Sequence, residues 1–345
     1  MADPESGKDA KQDAGPDSQP GPGAPNKKSP LKAVATAAAP SAATPAPKKY
    51  TASISSSFEA LPADLVSAIQ DLEKALGMPV WMMVQNPSQP DLSPGFDLLD
   101  RSVCKALHEQ RDQIVRGQPA AILLESPGGQ ADEAFRIARL FKRRVSALTV
   151  VVPQYAKSAA TMLALGADTL YLGEDAELGP LDVQLVDMER EEVDSGLNAV
   201  QALERLNAFA ITTFDQVSPL LRKRTGKKTD TVVQYAQRYV ADMMRPLLEK
   251  IDVVDYSKKS RTLKVGEEYA IRLMQASYGR PTAERIARYL VEKYPDHGFV
   301  IDATEARAVG IKIAKNTPDL EKVFGRLMPF MDGATVIGRI TEVTP

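Results

Sequence analysis

The chain has one cysteine, Cys104, and two histidines, His108 and His297, in 345 residues. A single thiol excludes an intramolecular disulfide framework and any site built on several thiolates, and two histidines leave no histidine-rich metal site. Charge of one sign is lacking too: 43 basic side chains against 45 acidic ones give a formal charge of -2, so no whole-chain field favours nucleic acid as a partner. Long apolar runs are missing. The longest, Val145 to Val152 with Ser146 and Thr149 inside it, falls far short of the roughly 20 residues that span a bilayer. Met1 to Pro25 offers neither the basic start nor the unbroken apolar stretch of a signal peptide. The expectation is a cytoplasmic protein with no membrane span, no metal and no cofactor.

What is present is ordinary for a globular protein: 43% hydrophobic and 26% charged residues, in a chain long enough for a large core. Residues 1 to about 50 stand apart. They hold nine of the 25 prolines, and their only large apolar side chains are Met1, Leu31, Val34 and Tyr50. Such a segment cannot bury enough surface to offset its ordering entropy. Its acidic residues all precede Ser18, while Lys27, Lys28, Lys32, Lys48 and Lys49 follow. This pattern reads as a flexible solubilising tail, with a tether for an acidic partner as the alternative.

From Ser53 the texture changes to an alternation of helical and strand patterns, the signature of a parallel sheet with crossover helices. Helices are predicted over 61–76, 96–115, 131–141 and 158–165, and strands over 79–84, 120–124, 147–152 and 169–172. After Gly179 the pattern turns helical, at 193–214, 229–251, 266–277, 282–294 and 303–309. The stretch from Asn316 reads as a peripheral extension, in which 334–343 suits a hairpin or an exchanged strand. The expected division is a tail at 1–50, one α/β domain at 51–315 and an extension at 316–345.

Two segments carry the chemistry. LLESPGG, Leu123 to Gly129, is followed about thirty residues later by VVPQYAKSAATMLALGAD, Val151 to Asp168. In each, a strand runs into a turn of small residues that opens a helix, where free backbone N–H groups and the helix dipole favour negative charge. From neighbouring parallel strands, two such cradles meet at the carboxyl edge of the sheet. Ser158 begins the second helix, where a hydroxyl is either a nucleophile or simply an N-cap. The N–H groups of Gly128 or Gly129 and of Ala159 are the donors an oxyanion would need. SPGG alone also suits a phosphate loop, but the chain lacks the lysine of GxxxxGKS/T, which argues against a nucleotide hydrolase.

SPGG and AKSAATMLALGAD, followed by LGPLDVQ at Leu178 to Gln184, together resemble the serine dehydrogenase proteinase family. The resemblance continues through EEYAIRLM at Glu267 to Met274 and HGFVIDATEARAVGIKI at His297 to Ile313. It implies the Clp/crotonase-like fold, an α/β architecture of repeated β-β-α and βα units with a parallel sheet and C-terminal helices, related to the Clp protease proteolytic subunit and signal peptide peptidase A. It also implies an ATP-independent serine peptidase acting on a peptide or protein substrate, and a homo-oligomer whose contacts fall at Val193 to Phe214 and Ala334 to Val343. Residue by residue, Ser158 matches the nucleophile, Gly128 and Gly129 the oxyanion-hole loop, and Ala159 the residue whose N–H completes it.

The base departs from the Clp pattern. No histidine lies between His108 and His297, which argues against a Ser-His-Asp triad, and no lysine lies between Lys157 and Lys223. A Ser-Lys pair is the expected type, with the base unassigned. Lys223, Lys227, Lys228, Lys264 and His297 are the candidates, each more readily read as solvated or structural. Lys157 adjoins Ser158 and is expected to point away. Two other classes stay open: a crotonase-like acyl-coenzyme A enzyme, whose carboxylate base would be Glu125 or Asp182, and an oligomeric scaffold without activity.

Overall fold

The computed structural model describes residues 48–87, 95–181, 184–187 and 192–343. The tail to residue 47 and Asp182 lie outside them.

The described chain enters through two short strands, β1 (Tyr50–Ala52) and β2 (Ser55–Ser56), and helix α1 (Ala63–Leu76). Strands then alternate with helices, as the apolar patterning dictates. β3 (Val80–Val84) leads to α2 (Arg101–Glu109), and β4 (Ala120–Glu125) to α3 (Ala131–Lys142). β5 (Leu148–Val152) passes through the two-residue β6 (Tyr155–Ala156) into α4 (Ala159–Leu165), and β7 (Thr169–Leu172) completes the series. The strands β3, β4, β5 and β7 pair side by side and parallel, with Met83 opposite Leu124, Ile122 opposite Val150 and Val150 opposite Leu170. Every residue of β3, β4 and β5 is buried, which is why these strands read as nearly continuous apolar runs instead of alternating ones, with Glu125 and Thr149 as the polar exceptions.

Successive residues still point to opposite faces. Trp81, Met83, Ile122, Leu124, Val150 and Val152 face one core with α3 and α4. Val80, Met82, Val84, Ala121, Leu123 and Val151 face a second core with α1. Trp81 meets Phe141 edge-on at 5.6 Å between ring centroids, fixing α3 across the first face.

Beyond β7 come the short β8 (Glu177–Leu178), parallel to β6, and the antiparallel pair β9 (Gln184–Asp187) and β10 (Glu192–Ser195). Helices α5 (Gly196–Thr225), α6 (Thr229–Leu248), α7 (Val253–Tyr278), α8 (Arg280–Glu292) and α9 (Ala303–Val309) follow. α7 starts well before the apolar pattern predicts, because Asp252 caps it by accepting from the Val254 and Asp255 N–H groups. The capping carboxyl of Asp252 is held below its ordinary value by those two hydrogen bonds.

The stretch from Asn316, which the pattern places at the periphery, is built into the fold. Helix α10 (Pro318–Leu327) supplies Leu320, Val323, Phe324 and Leu327 to the second core. Strand β11 (Val336–Gly338) inserts antiparallel between β2 and β3, giving a six-stranded sheet in the order β2-β11-β3-β4-β5-β7. β12 (Ile340–Glu342) pairs with β1. Thus 334–343 pairs within its own chain. The architecture is mixed α/β with a mostly parallel central sheet and many helices, the fold class that the motifs imply.

Candidate active site

Both turns singled out in the sequence leave the carboxyl ends of adjacent strands, β4 and β5, so the sheet itself brings them together. They are stitched by backbone hydrogen bonds: the Ser126 N–H donates to the Tyr155 carbonyl at 3.2 Å, and the Lys157 N–H to the Ser126 carbonyl at 3.0 Å. Gly128 and Gly129 adopt φ values of 108° and 143°, a region costly for any residue with a Cβ. Space imposes the same choice. A Cβ on Gly128 would lie 2.7 Å from the Lys157 carbonyl oxygen and 3.0 Å from the Ser158 Cβ; one on Gly129 would lie 2.4 Å from the Leu99 carbonyl oxygen. The glycine turn therefore lies directly against the start of α4.

Ser158 has φ 50° and ψ -117°, and is the one non-glycine residue with positive φ among the described residues. Such a backbone costs roughly 1 to 3 kcal/mol and persists only where its surroundings hold it. Here α4 does so: every residue from Ala159 to Leu165 is buried. Ser158 occupies the N-cap position of α4, yet its side chain makes no capping hydrogen bond. The strain therefore does not serve a cap. It leaves a half-buried hydroxyl at the mouth of two turns.

The N–H groups divide into used and unused ones. The Gly128 N–H donates to Ser126 Oγ at 3.1 Å; that hydroxyl donates to Gln85 Oε1 at 2.7 Å, and Gln85 Nε2 to the Phe96 carbonyl at 2.9 Å. Ser126 and Gln85 are fully buried, so this relay fixes the glycine turn from beneath. At the next turn, the Ala160 and Met162 N–H groups donate to the carbonyls of Lys157 and Ser158. The N–H groups of Gly129 and Ala159 have no hydrogen-bond partner among the described residues.

The third motif closes around the same place. The Gly179 N–H donates to Thr161 Oγ1 on α4 at 3.0 Å, and a Cβ on Gly179 would come within 2.8 Å of Lys157 Cδ. Lys157 runs along this segment and pairs with Glu177 at 2.6 Å, so it points away from its neighbour Ser158.

Glu125, the last residue of β4, is completely buried. Its carboxylate accepts from the Gln154 N–H at 3.1 Å and from the Tyr155 N–H at 3.1 and 3.2 Å. Burial pushes its carboxyl up to about 8 against the pull of those two N–H groups, and the nearby Asp332 and Glu177 charges add to the rise. Burial likewise carries the Tyr155 phenol up to about 12.

The other candidate residues are scattered. Lys264 pairs with Glu267 on its own helix at 2.7 Å. Lys227 lies over the Tyr235 ring at 5.0 Å, and Lys223 and Lys228 are exposed at the α5–α6 turn. His297 lies half-buried between α8 and α9, and His108 is exposed in the last turn of α2. Cys104 is buried, and desolvation with Glu133 beside it pushes its thiol up to about 12, so it is not a reactive thiolate. Among the described residues no group of histidine, cysteine, aspartate or glutamate side chains is arranged to hold a metal, and no helix is long and apolar enough to cross a membrane. Sequence reasoning missed the supporting pair Gln85 and Ser126. The signal was there: each is a polar residue soon after a strand whose every residue is buried.

Two uncharacterized proteins of Methanocaldococcus jannaschii are similar to this chain, at 26% and 24% identity over 217 and 218 residues, 61% of the chain in each case. The chain covers about three fifths of their length, 59% and 61%. The family model that matches covers residues 103–207, from α2 into α5, and thus takes in the glycine turn, Ser158 and the Gly179 segment. That family is the ClpP-like SDH-type serine proteinases, the one the sequence motifs resemble.

Proposed function

We propose that the chain is an ATP-independent serine peptidase in which Ser158 forms an acyl-enzyme. The observation that carries this is the strained, uncapped Ser158 set against two backbone N–H groups, those of Gly129 and Ala159, that have no partner among the described residues. In this reading Ser158 Oγ adds to the scissile carbonyl carbon, and the developing oxyanion takes hydrogen bonds from those two N–H groups. The serine proton passes to a base and then to the leaving amine as the C–N bond breaks. Water hydrolyses the resulting ester and frees the serine. Gly128 serves by lacking a side chain, since its own N–H is already bonded to Ser126. The base belongs to the Ser-Lys type in this proposal, and its identity is left unassigned. The substrate is a peptide or protein and the assembly a homo-oligomer.

A crotonase-like enzyme would also use paired N–H groups, but it needs a free carboxylate base. Glu125 does not offer one: it is buried, and both its oxygens are occupied by backbone N–H groups. Asp182, the other carboxylate considered, lies outside the described residues, so the preference for acyl transfer rests on Glu125 and on the strained Ser158.

The test is labelling of purified protein with a fluorophosphonate, the adduct being mapped by mass spectrometry. An adduct on Ser158 that disappears in Ser158→Ala is expected. A folded wild-type protein that takes no label, or a Ser158→Ala protein that labels equally, would sink the proposal.

A further inference from the structure

We infer that Glu125 is a positioning residue for Ser158, aiming the nucleophile by gripping the short segment that delivers it. The inference rests on Ser158 being the nucleophile. Gln154 and Tyr155 bridge the end of β5 and the start of β6, and Ser158 follows Tyr155 by three residues. Their two N–H groups point inward and have the Glu125 carboxylate as acceptor. Without it, two donors would lie in a largely buried place with nothing to bond, which typically costs about 1 to 3 kcal/mol each. The segment would relieve that cost by moving, and Ser158 would move with it.

The neighbouring residue makes the argument two-sided. Ser126 holds the glycine turn through the Gly128 N–H, while Glu125 holds the serine turn through Gln154 and Tyr155. One dipeptide at the end of β4 thus sets both halves of the site, and the Ser126 N–H bonded to the Tyr155 carbonyl ties the halves together. A misplacement of about 1 Å between nucleophile and oxyanion donors is enough to cost up to two orders of magnitude in rate.

The grip also depends on charge. An ionised carboxylate is roughly twice as strong an acceptor as a neutral group. Burial pushes the Glu125 carboxyl up to about 8, so its ionisation falls in a range that a labelling experiment can scan. The charged and titratable groups around it are consistent with one step there. Asp332 and Glu177 disfavour its ionisation, Glu177 is itself paired with Lys157, and the Tyr155 phenol, up to about 12, stays neutral throughout.

The experiment measures the rate of fluorophosphonate labelling from pH 6 to 9.5 for wild type, Glu125→Gln and Glu125→Asp, each checked for folding by near-UV circular dichroism. Glutamine mimics the neutral carboxyl in shape. The ratio of wild-type to Glu125→Gln rates is therefore expected to stay within about twofold at pH 6.5 and to rise to about tenfold above pH 8.5. Any titration of the base is common to both proteins and cancels in the ratio. Glu125→Asp keeps the charge on a shorter arm; it should label more slowly than wild type but retain the pH-dependent step that Glu125→Gln loses. A ratio flat with pH, whether near one or uniformly large, would overturn the inference, the large case being a merely structural role. If Glu125→Gln does not fold, a Glu125→Asp profile lacking that step overturns it instead. Labelling that persists in Ser158→Ala defeats the underlying peptidase reading, whatever Glu125 does.

Discussion

In α4 every side chain from Ala159 to Leu165 is buried, whereas α6, with 20 residues, buries only Val232, Ala236 and Met244. The contrast extends outward. Around α4, the polar groups of Gln85, Glu125, Ser126 and Thr161 are all hydrogen-bonded. Around α6 and its partner α5, Phe209, Ile211, Leu220, Tyr235, Tyr239, Leu247 and Leu248 stand exposed. The sheet edge holds its geometry with residues of one chain, while the α5–α6 pair presents apolar surface that stays exposed among the described residues. Scattered exposed apolar residues are normal; this many on two adjacent helices make the pair the place to test for the proposed homo-oligomer. Precision is thus concentrated where the chemistry would need it: the site is fixed locally, and the helical pair is free to serve contacts.

The contrast is tested most severely at the glycine turn. Gly129→Ala would push a Cβ into the Leu99 backbone and displace one of the two unused N–H groups. Because removing one oxyanion donor typically costs 10²- to 10³-fold, the labelling rate of Ser158 is expected to fall by about that factor. Labelling kinetics would show it directly, and an unchanged rate would mean that the Gly129 N–H is not a donor to the reacting group. Next in size is the core beneath. Leu163 on α4 is fully buried, so Leu163→Ala should cost roughly 2 to 5 kcal/mol in a urea titration. A loss below about 1 kcal/mol would show that α4 is not the rigid support its burial indicates.

Much of this support was legible in the sequence. Strands β3, β4, β5 and β7 are mostly apolar runs, and their predicted ends agree with the structure to within a residue. The two turns stood out because small residues followed each strand. The pieces that were not legible have no periodicity to betray them. β6 and β8 are two residues each, and exist because neighbouring backbone groups pair. For β11 the strand itself was legible, since 334–343 suits a hairpin or an exchanged strand, but its place between β2 and β3 was hidden by the distance along the chain. β10 occupies 192–195, where the pattern suggested a helix from 193, since Glu-Val-Asp-Ser carries no strong preference and its pairing with β9 decides. The positioning role of Glu125 was invisible for a similar reason, because its partners are backbone N–H groups some thirty residues away.

A smaller effect, confined to the sheet edge, is the pH dependence of stability. In the unfolded chain the Glu125 carboxyl titrates near its ordinary value of 4.5, and in the folded protein at about 8. Between those values folding takes up a proton, so this group's contribution is fully present below about pH 4.5 and is lost as pH rises toward 8. From pH 6 to 8 the loss is on the order of 2 kcal/mol. Wild-type Tm should fall over that range more steeply than that of Glu125→Gln, which has nothing to titrate there. Parallel curves for the two proteins would show that the carboxyl is already ionised at pH 6.

The smallest expected effect on stability lies on the helical pair. Phe209 on α5 is 50% exposed and Ile211 is 56% exposed, so truncating them in a single chain removes little buried surface. Phe209→Ser with Ile211→Ser should change the urea unfolding free energy by no more than about 1 kcal/mol in dilute protein, about 0.5 for each surface substitution. If the α5–α6 pair is covered by a second copy, the same substitutions should lower the mass measured by light scattering at high concentration, and wild-type Tm should rise with protein concentration while that of the double variant does not. A double variant with unchanged mass and concentration dependence would show that association does not run through these side chains. A loss of several kcal/mol even in dilute protein would remove the contrast with α4, because it would mean that this face contributes to folding of the single chain as strongly as the helix under Ser158 does.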